Sequence, residues 1–203
     1  AGLDHALKTL LHMERGGIHD HIGGGFARYS VDEKWHVPHF EKMLYDNAQL
    51  AETYSRAWQG LPEAAEGDRV ALKRAALGIV DFVQREWSHD AGGFYSALDA
   101  DSDGVEGKYY VWTEEELRAA LSEEELRVCA EVYAVDGKSA WGEYESDVPA
   151  NVLMKWAPDA ELSRALGLDE GDLNRQLEEI HAKLRRLRSE RVAPGLDDKI
   201  LTA

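Results

Sequence analysis

The densest run of reactive side chains lies between residues 20 and 47. It reads Asp20-His21-x-Gly-Gly-Gly-x-x-Arg28-Tyr29-Ser30-x-Asp32-x-x-Trp35-His36-x-Pro38-His39-Phe40-Glu41-x-x-x-Tyr45-Asp46-Asn47. Carboxylates, imidazoles, a guanidinium and phenols are the groups that acid–base chemistry draws on. A Trp next to a pair of carboxylates also suits a sugar, offering a stacking face and groups for proton transfer. Glu41 and Asp46, then His39, His21 and Asp20, are the candidates for proton transfer. Arg28 would orient a substrate, and Tyr29 and Trp35 would bind it. A plainer reading stands beside this one: the glycines solve a packing problem and the polar side chains satisfy buried backbone groups.

Three further groupings carry weaker signals. His19-x-His21 and His36-x-x-His39 invite a metal, but neither has the i, i+4 spacing of a zinc protease helix and no Cys is near. Asp99-x-Asp101-x-Asp103-Gly104 matches the opening of a calcium loop, yet Tyr110 stands where the closing Glu belongs. The run reads first as a solvated turn. The alternative is that Asp99 and Asp101 face the same cavity as the first loop, as its repeat counterpart, and bind a substrate there with Trp112. Tyr109, Tyr110 and Trp112 would then lie on a short strand that leads back from it. Trp141, Glu143 and Tyr144 would form a lid or merely anchor a loop. Cys129, the sole cysteine, falls in a helical pattern and reads as a small core residue.

Helices must position these groups. Leu3, Leu7, Leu10 and Leu11 have helical spacing that stops at Gly16-Gly17. The pattern predicts a helix from Pro38 to Ala57 or Trp58, buried on several sides. On it Glu41 and Tyr45 would stack as neighbours, with His39 and Glu41 in the first turn. Residues 67–87 give another helix, striped by Leu72, Ala76, Ile79 and Val83. Thr113-x-x-Glu116 and Ser122-x-x-Glu125 are capping boxes that each open a helix. Residues 135–157 read as irregular or β-like. Asp159 would cap a short helix ending at Gly167. A last helix of about 170–190 carries Leu173, Leu177, Ile180, Leu184 and Leu187.

The chain also echoes itself. His21-x-x-Gly24-Gly25-Phe26 and His89-x-x-Gly92-Gly93-Phe94 share one pattern, each followed by Tyr-Ser, an Asp and a Trp. Helix, long glycine-aromatic loop, helix is the repeated unit, and such units bury their apolar faces only by stacking into arrays or rings.

The 203 residues carry a net charge of −16, and 14 of the 39 acids fall in residues 101–150. That surplus argues against nucleic acid and anionic membranes as partners. Much of it is helix-start glutamate at 114–116 and 123–125, which complements helix dipoles. One cysteine excludes an internal disulfide framework. With no leader pattern and no apolar run of about 18 residues, the cytoplasm is the expected compartment.

The run from Gly16 to Asn47 resembles the thioredoxin-domain-containing family related to spermatogenesis-associated protein 20. So do Gly92–Ser102, Glu106–Thr113 and Asp197–Ala203. The resemblance implies an N-terminal thioredoxin-like domain followed by an (α/α) toroid similar to N-acylglucosamine 2-epimerases and six-hairpin glycosidases. No C-x-x-C is present here, so residues 1–203 are expected to be the N-terminal part of that toroid. The expected fold is mainly α, a partial (α/α)6 toroid of helix hairpins with long loops and short β-hairpins. The implied function is sugar chemistry of the epimerase or glycosidase kind, with a small sugar-like ligand. The later hairpins and the thioredoxin-like domain would be partners, and no cofactor is expected beyond calcium at Asp99, Asp101 and Asp103. The alternatives are a non-catalytic scaffold that supports a thioredoxin-like redox domain and a calcium-stabilised helical module.

Overall fold

A computed structural model describes residues 2–62, 65–133, 135 and 150–201. Trp141, Glu143 and Tyr144, and most of the stretch read as β-like, lie outside the described residues. Seven helices and five short strands are described: α1 (Gly2–Arg15), β1 (Lys42–Met43), α2 (Leu44–Gly60), α3 (Glu66–Glu86), β2 (Phe94–Leu98), β3 (Asp101–Ser102), β4 (Val105–Glu106), α4 (Glu114–Ala120), α5 (Glu123–Tyr133), α6 (Asp159–Leu166), α7 (Glu170–Arg188) and β5 (Leu196–Leu201).

Two helical cores form. The first joins α1, α2 and α3 through Leu10, Tyr54, Leu72 and Ile79, with Phe26 from the first loop. The second joins α4 to α7 through Leu117, Val128, Leu162, Leu173 and Ile180. Cys129 is fully buried in this second core, as its helical spacing predicts. A smaller cluster of Val37, Phe40, Ala100, Val111 and Val152 packs where the two long loops meet.

The helix ends follow the sequence signals closely. Thr113 caps α4 in a full capping box with Glu116. Ser122 and Glu125 make the same reciprocal pair at the start of α5. α6 ends at Gly167 in the left-handed region at φ 70°. Its N-cap is Pro158, and Asp159 stands one position inside.

The helix expected from Pro38 begins six residues later, at Leu44. Residues 38–43 stay out of the helix because two partners hold their backbone, with Phe40 left-handed at φ 60°. Arg28 N donates to Glu41 O at 2.8 Å and His39 N to Tyr29 O at 3.0 Å. Lys42 and Met43 then pair with Leu98 and Ala97 of β2. β2 also pairs with β5, giving an antiparallel sheet of order β1-β2-β5. The expected stacking of Glu41 on Tyr45 along one helix is therefore replaced by a strand-to-helix junction.

The echo survives in the backbone. Gly24, Gly25, Gly92 and Gly93 all adopt positive φ, from 77° to 93°. Each pair leads into a bridge, His19 with Phe26 and Ser88 with Phe94. Only glycine takes such consecutive left-handed turns cheaply. Gly17 has a different reason: a Cβ there would stand 2.0 Å from His36 O, so the turn after α1 sits directly on the second half of the first loop.

Candidate functional site

The first loop doubles back on itself, and its two arms present different side chains to different places. On the outward side stand Arg28, Tyr29, His39, Glu41, Tyr45 and Asp46. Arg28 Nη1 meets Glu41 Oε2 at 3.1 Å. Tyr29, 46% exposed, stacks on His39 with ring centroids 4.8 Å apart. His39 Nδ1 reaches Glu106 Oε1 at 2.7 Å, a bond 67 residues long in sequence. This is where the second loop joins the first, through Glu106 on β4.

Asp46 lies in the first turn of α2, beside this group. Its Oδ2 is buried and has no hydrogen-bond partner. Burial pushes its carboxyl above the usual aspartate range; Arg28 works against that and the Glu41 carboxylate adds to it. α2 starts at an N-cap Met43 that offers no side-chain cap. Asn47 is committed elsewhere, bonding Phe26 N, Phe26 O and Met43 O. Glu41 is thus paired with a cation, while Oδ2 of the neighbouring Asp46 is left unsatisfied. Trp35 at φ 62° and Phe40 at φ 60° bracket His36 to His39 with left-handed backbone, a cost that the surrounding structure has to hold in place.

Asp20 and His21 turn inward instead. Asp20 accepts from Lys42 Nζ at 2.8 Å and from both terminal nitrogens of Arg188 at 2.9 Å. Ile22 N and Gly23 N complete its shell. Burial opposes ionisation of Asp20, but Arg188 and Lys42 outweigh it and hold the carboxyl well below the usual range. Burial lowers Lys42 to about 8, with Asp20 opposing the fall and Arg188 adding to it. The Phe82 ring centroid lies 4.3 Å from Lys42 Nζ.

His21 belongs to a set of neutral imidazoles. His19 Nδ1 bonds Glu14 O at 2.9 Å, His21 Nε2 bonds Arg15 O at 3.2 Å, and His181 Nε2 meets the Tyr133 hydroxyl at 2.5 Å. Burial lowers all three, and for His181, taken to about 3, Lys155 and Arg74 add to it. Glu14, Arg74, Lys155 and Asp159 form an adjoining ion network, with Arg74 reaching Glu14 at 2.8 Å and Asp159 at 2.6 Å. His19, His21, His181, Arg74 and Lys155 border a cleft of about 510 Å³ between α3 and α7.

The remaining expected residues are placed apart. Trp112 is 2% exposed and its face is covered by Arg191 at 4.0 Å, so it offers no stacking surface. Trp35 packs against the first core. Trp112 bridges Asn151 rather than extending a strand from Tyr109, because residues 107–110 form a turn. Asp99 is exposed and bonds Ala100 N. Asp101 lies opposite Glu106 across β3 and β4. Asp103 and Gly104, at φ 55° and 74°, make the two-residue turn of that hairpin, and Lys108 pairs with Asp103 at 2.6 Å. The run thus folds as a two-stranded hairpin. Among the described residues no group of three or more His, Cys, Asp or Glu side chains is placed to hold a metal.

No family model matches the chain. Spermatogenesis-associated protein 20 of Homo sapiens is 40% identical over 98% of this chain and 27% of its own length. The Mus musculus protein of that name is 39% identical over the same shares. The Rattus norvegicus protein of that name is 51% identical over 58% of this chain and 15% of its own length. Over nearly its whole length the chain is similar to one part of spermatogenesis-associated protein 20. The chain spans about a quarter of the human and mouse relatives it matches. No described helix is long and apolar enough to cross a membrane.

Four participants escaped the reading of the sequence. Glu106 opens the Glu-Gly-Lys-Tyr-Tyr stretch, and its partner was not visible without the fold. Lys42 sits inside the motif but passes for a helix-surface residue once a helix is drawn from Pro38. His181 adjoins Ile180 in the apolar stripe of α7, and only that adjacency hints at burial. Arg188, at the end of α7, passes for a dipole-complementing cation.

Proposed function

We propose that the outward face of the first loop is part of a proton-transfer site for a small sugar-like molecule, epimerase-like or glycosidase-like in its chemistry. The observation that carries this reading is Asp46: a carboxyl raised by burial, with Oδ2 unpartnered, beside the Arg28–Glu41 pair. Asp46 acts as the acid and Glu41, oriented by Arg28, as its counterpart. His39, held by Glu106, is a third proton-transfer group, and the exposed ring of Tyr29 supplies a stacking face. This placement fits a partial (α/α) toroid whose loops open on one side, with the later hairpins and a thioredoxin-like domain as partners in the cytoplasm.

The test is solvent-deuterium incorporation and glycoside cleavage over a panel of monosaccharides and aryl glycosides, followed by NMR. Asp46→Asn and Glu41→Gln are each expected to lower turnover by about 10²–10⁴-fold while ligand affinity stays within a few-fold. Undiminished redox activity of the whole protein, thioredoxin-like domain included, after Asp46→Asn and Glu41→Gln, with no sugar bound by the unaltered protein, would select the non-catalytic scaffold.

A further inference from the structure

The cleft between α3 and α7 plays no part in the chemistry assigned to the outward face. It is floored by the Asp20–Gly24 segment and holds about 510 Å³, inside the range of small-molecule sites. Three independent observations bear on what it takes.

The first is Gly78. It lies well inside α3 and lines the cleft, and no atom stands within 4 Å of where its Cβ would be. Glycine inside a helix is disfavoured relative to alanine, and here no neighbour requires its small size. What the missing side chain keeps clear is the cleft itself.

The second is hydrogen bonding at the floor. His19 spends Nδ1 on Glu14 O, which leaves Nε2 with a lone pair. His21 spends Nε2 on Arg15 O and Gly16 O, which leaves Nδ1 with a lone pair. Both residues line the cleft, each with one ring nitrogen that has no hydrogen bond among the described residues.

The third is charge. Among the cleft's charged residues Arg74, Lys155 and Asp20 are committed to internal ion pairs, and Arg85 to its neighbour Glu86 and to Gly23 O. Lys73, Asp81, Glu178 and Arg185 line it with no ion pair among the described residues; Lys73 has only the Trp58 ring, 5.3 Å away. Two cations and two carboxylates remain, so the uncommitted charge sums to zero in a chain of net −16. An anion would face Asp81 and Glu178, and a cation would face Lys73 and Arg185. Hydroxyl groups suit all of these at once. They donate to imidazole lone pairs and carboxylates, and they accept from ammonium and guanidinium groups.

We propose that this cleft binds a small uncharged polyhydroxylated molecule, a polyol or monosaccharide, at a site separate from the outward face. The site stands on its own residues and holds whether or not the outward face is catalytic.

The experiment is calorimetric titration of the purified protein with glucose, myo-inositol, glycine and orthophosphate, with imidazole NMR signals followed in parallel. Glucose or myo-inositol is expected to bind and to shift imidazole resonances. Gly78→Leu fills the cleft from an open helix position and should weaken that binding at least about tenfold with an unchanged or higher melting temperature. Glu178→Gln and Arg185→Gln, both on the surface, should each weaken it several-fold even if Gly78→Leu proves hard to produce. Tighter binding of orthophosphate or glycine overturns the proposal, as does no binding of either polyol. Full polyol affinity in Gly78→Leu, or in both surface variants, does the same.

Discussion

Asp46 occupies the one stretch of a helix where an acid ordinarily gains from the dipole and from free backbone N–H groups. Its Oδ2 takes none of that benefit and stays buried without a partner. The candidate acid and base residues were legible as residue types. Their grouping was not, because it depends on which arm of the loop faces out. Glu41, Asp46, His39, Arg28 and Tyr29 gather on one side, while Asp20 and His21 go to the other. The imidazoles that go inward carry a consequence for acid stability. His181 is taken to about 3 in the folded protein from an ordinary 6.5, so the unfolded chain binds its proton first. Stability should be fully present above pH 6.5 and fall progressively as pH drops toward about 3. Urea unfolding at a series of pH values checks this; a curve flat from pH 7 to pH 4 would remove the imidazoles as its cause.

At the scale of elements, most helices were readable from stripe, cap and stop signals because those signals are local. α2 was misjudged at its start. The apolar spacing and Pro38 suit a helix, but residues 38–43 obtain backbone partners from Tyr29, Arg28 and β2 that no local pattern announces. Tertiary pairing overrode propensity there, and the site owes its shape to that override. The β3–β4 hairpin is the mirror case. Asp103-Gly104 is a strong two-residue turn signal, so the solvated turn is legible there from local sequence even beside a calcium-like run of aspartates. α3 carries the prediction that belongs at this scale. Because a Cβ at Gly78 meets nothing, Gly78→Ala should stabilise the protein by about 0.5–1 kcal/mol in thermal or urea unfolding. A loss of stability would mean that the helix needs glycine there for a packing reason.

Across the whole molecule, two helical cores are tied together by a few buried charges. Arg74 of α3 reaches Asp159 of α6 and Asn174 of α7, and Arg188 at the end of α7 clamps Asp20 in the first loop. The net charge of −16 gave no sign of this, since the internal pairs cancel within it. Removing one member leaves the others buried and uncompensated. Asp20→Asn strands Lys42 and Arg188 and should cost about 3–5 kcal/mol. Lys42 and Arg188 also sit against aromatic rings, so a loss below about 1 kcal/mol would show that those rings suffice.

Cys129 makes the second core observable on its own. The thiol is fully buried, and burial pushes it up to about 12, so neither access nor ionisation favours attack by an alkylating reagent while α5 is packed. Labelling then runs only as fast as that core opens. With a single thiol in the chain, one mass shift counts each opening without any introduced probe. The molecule thus carries its own clock for how tightly its two halves are held together, and Asp20→Asn should make it run faster.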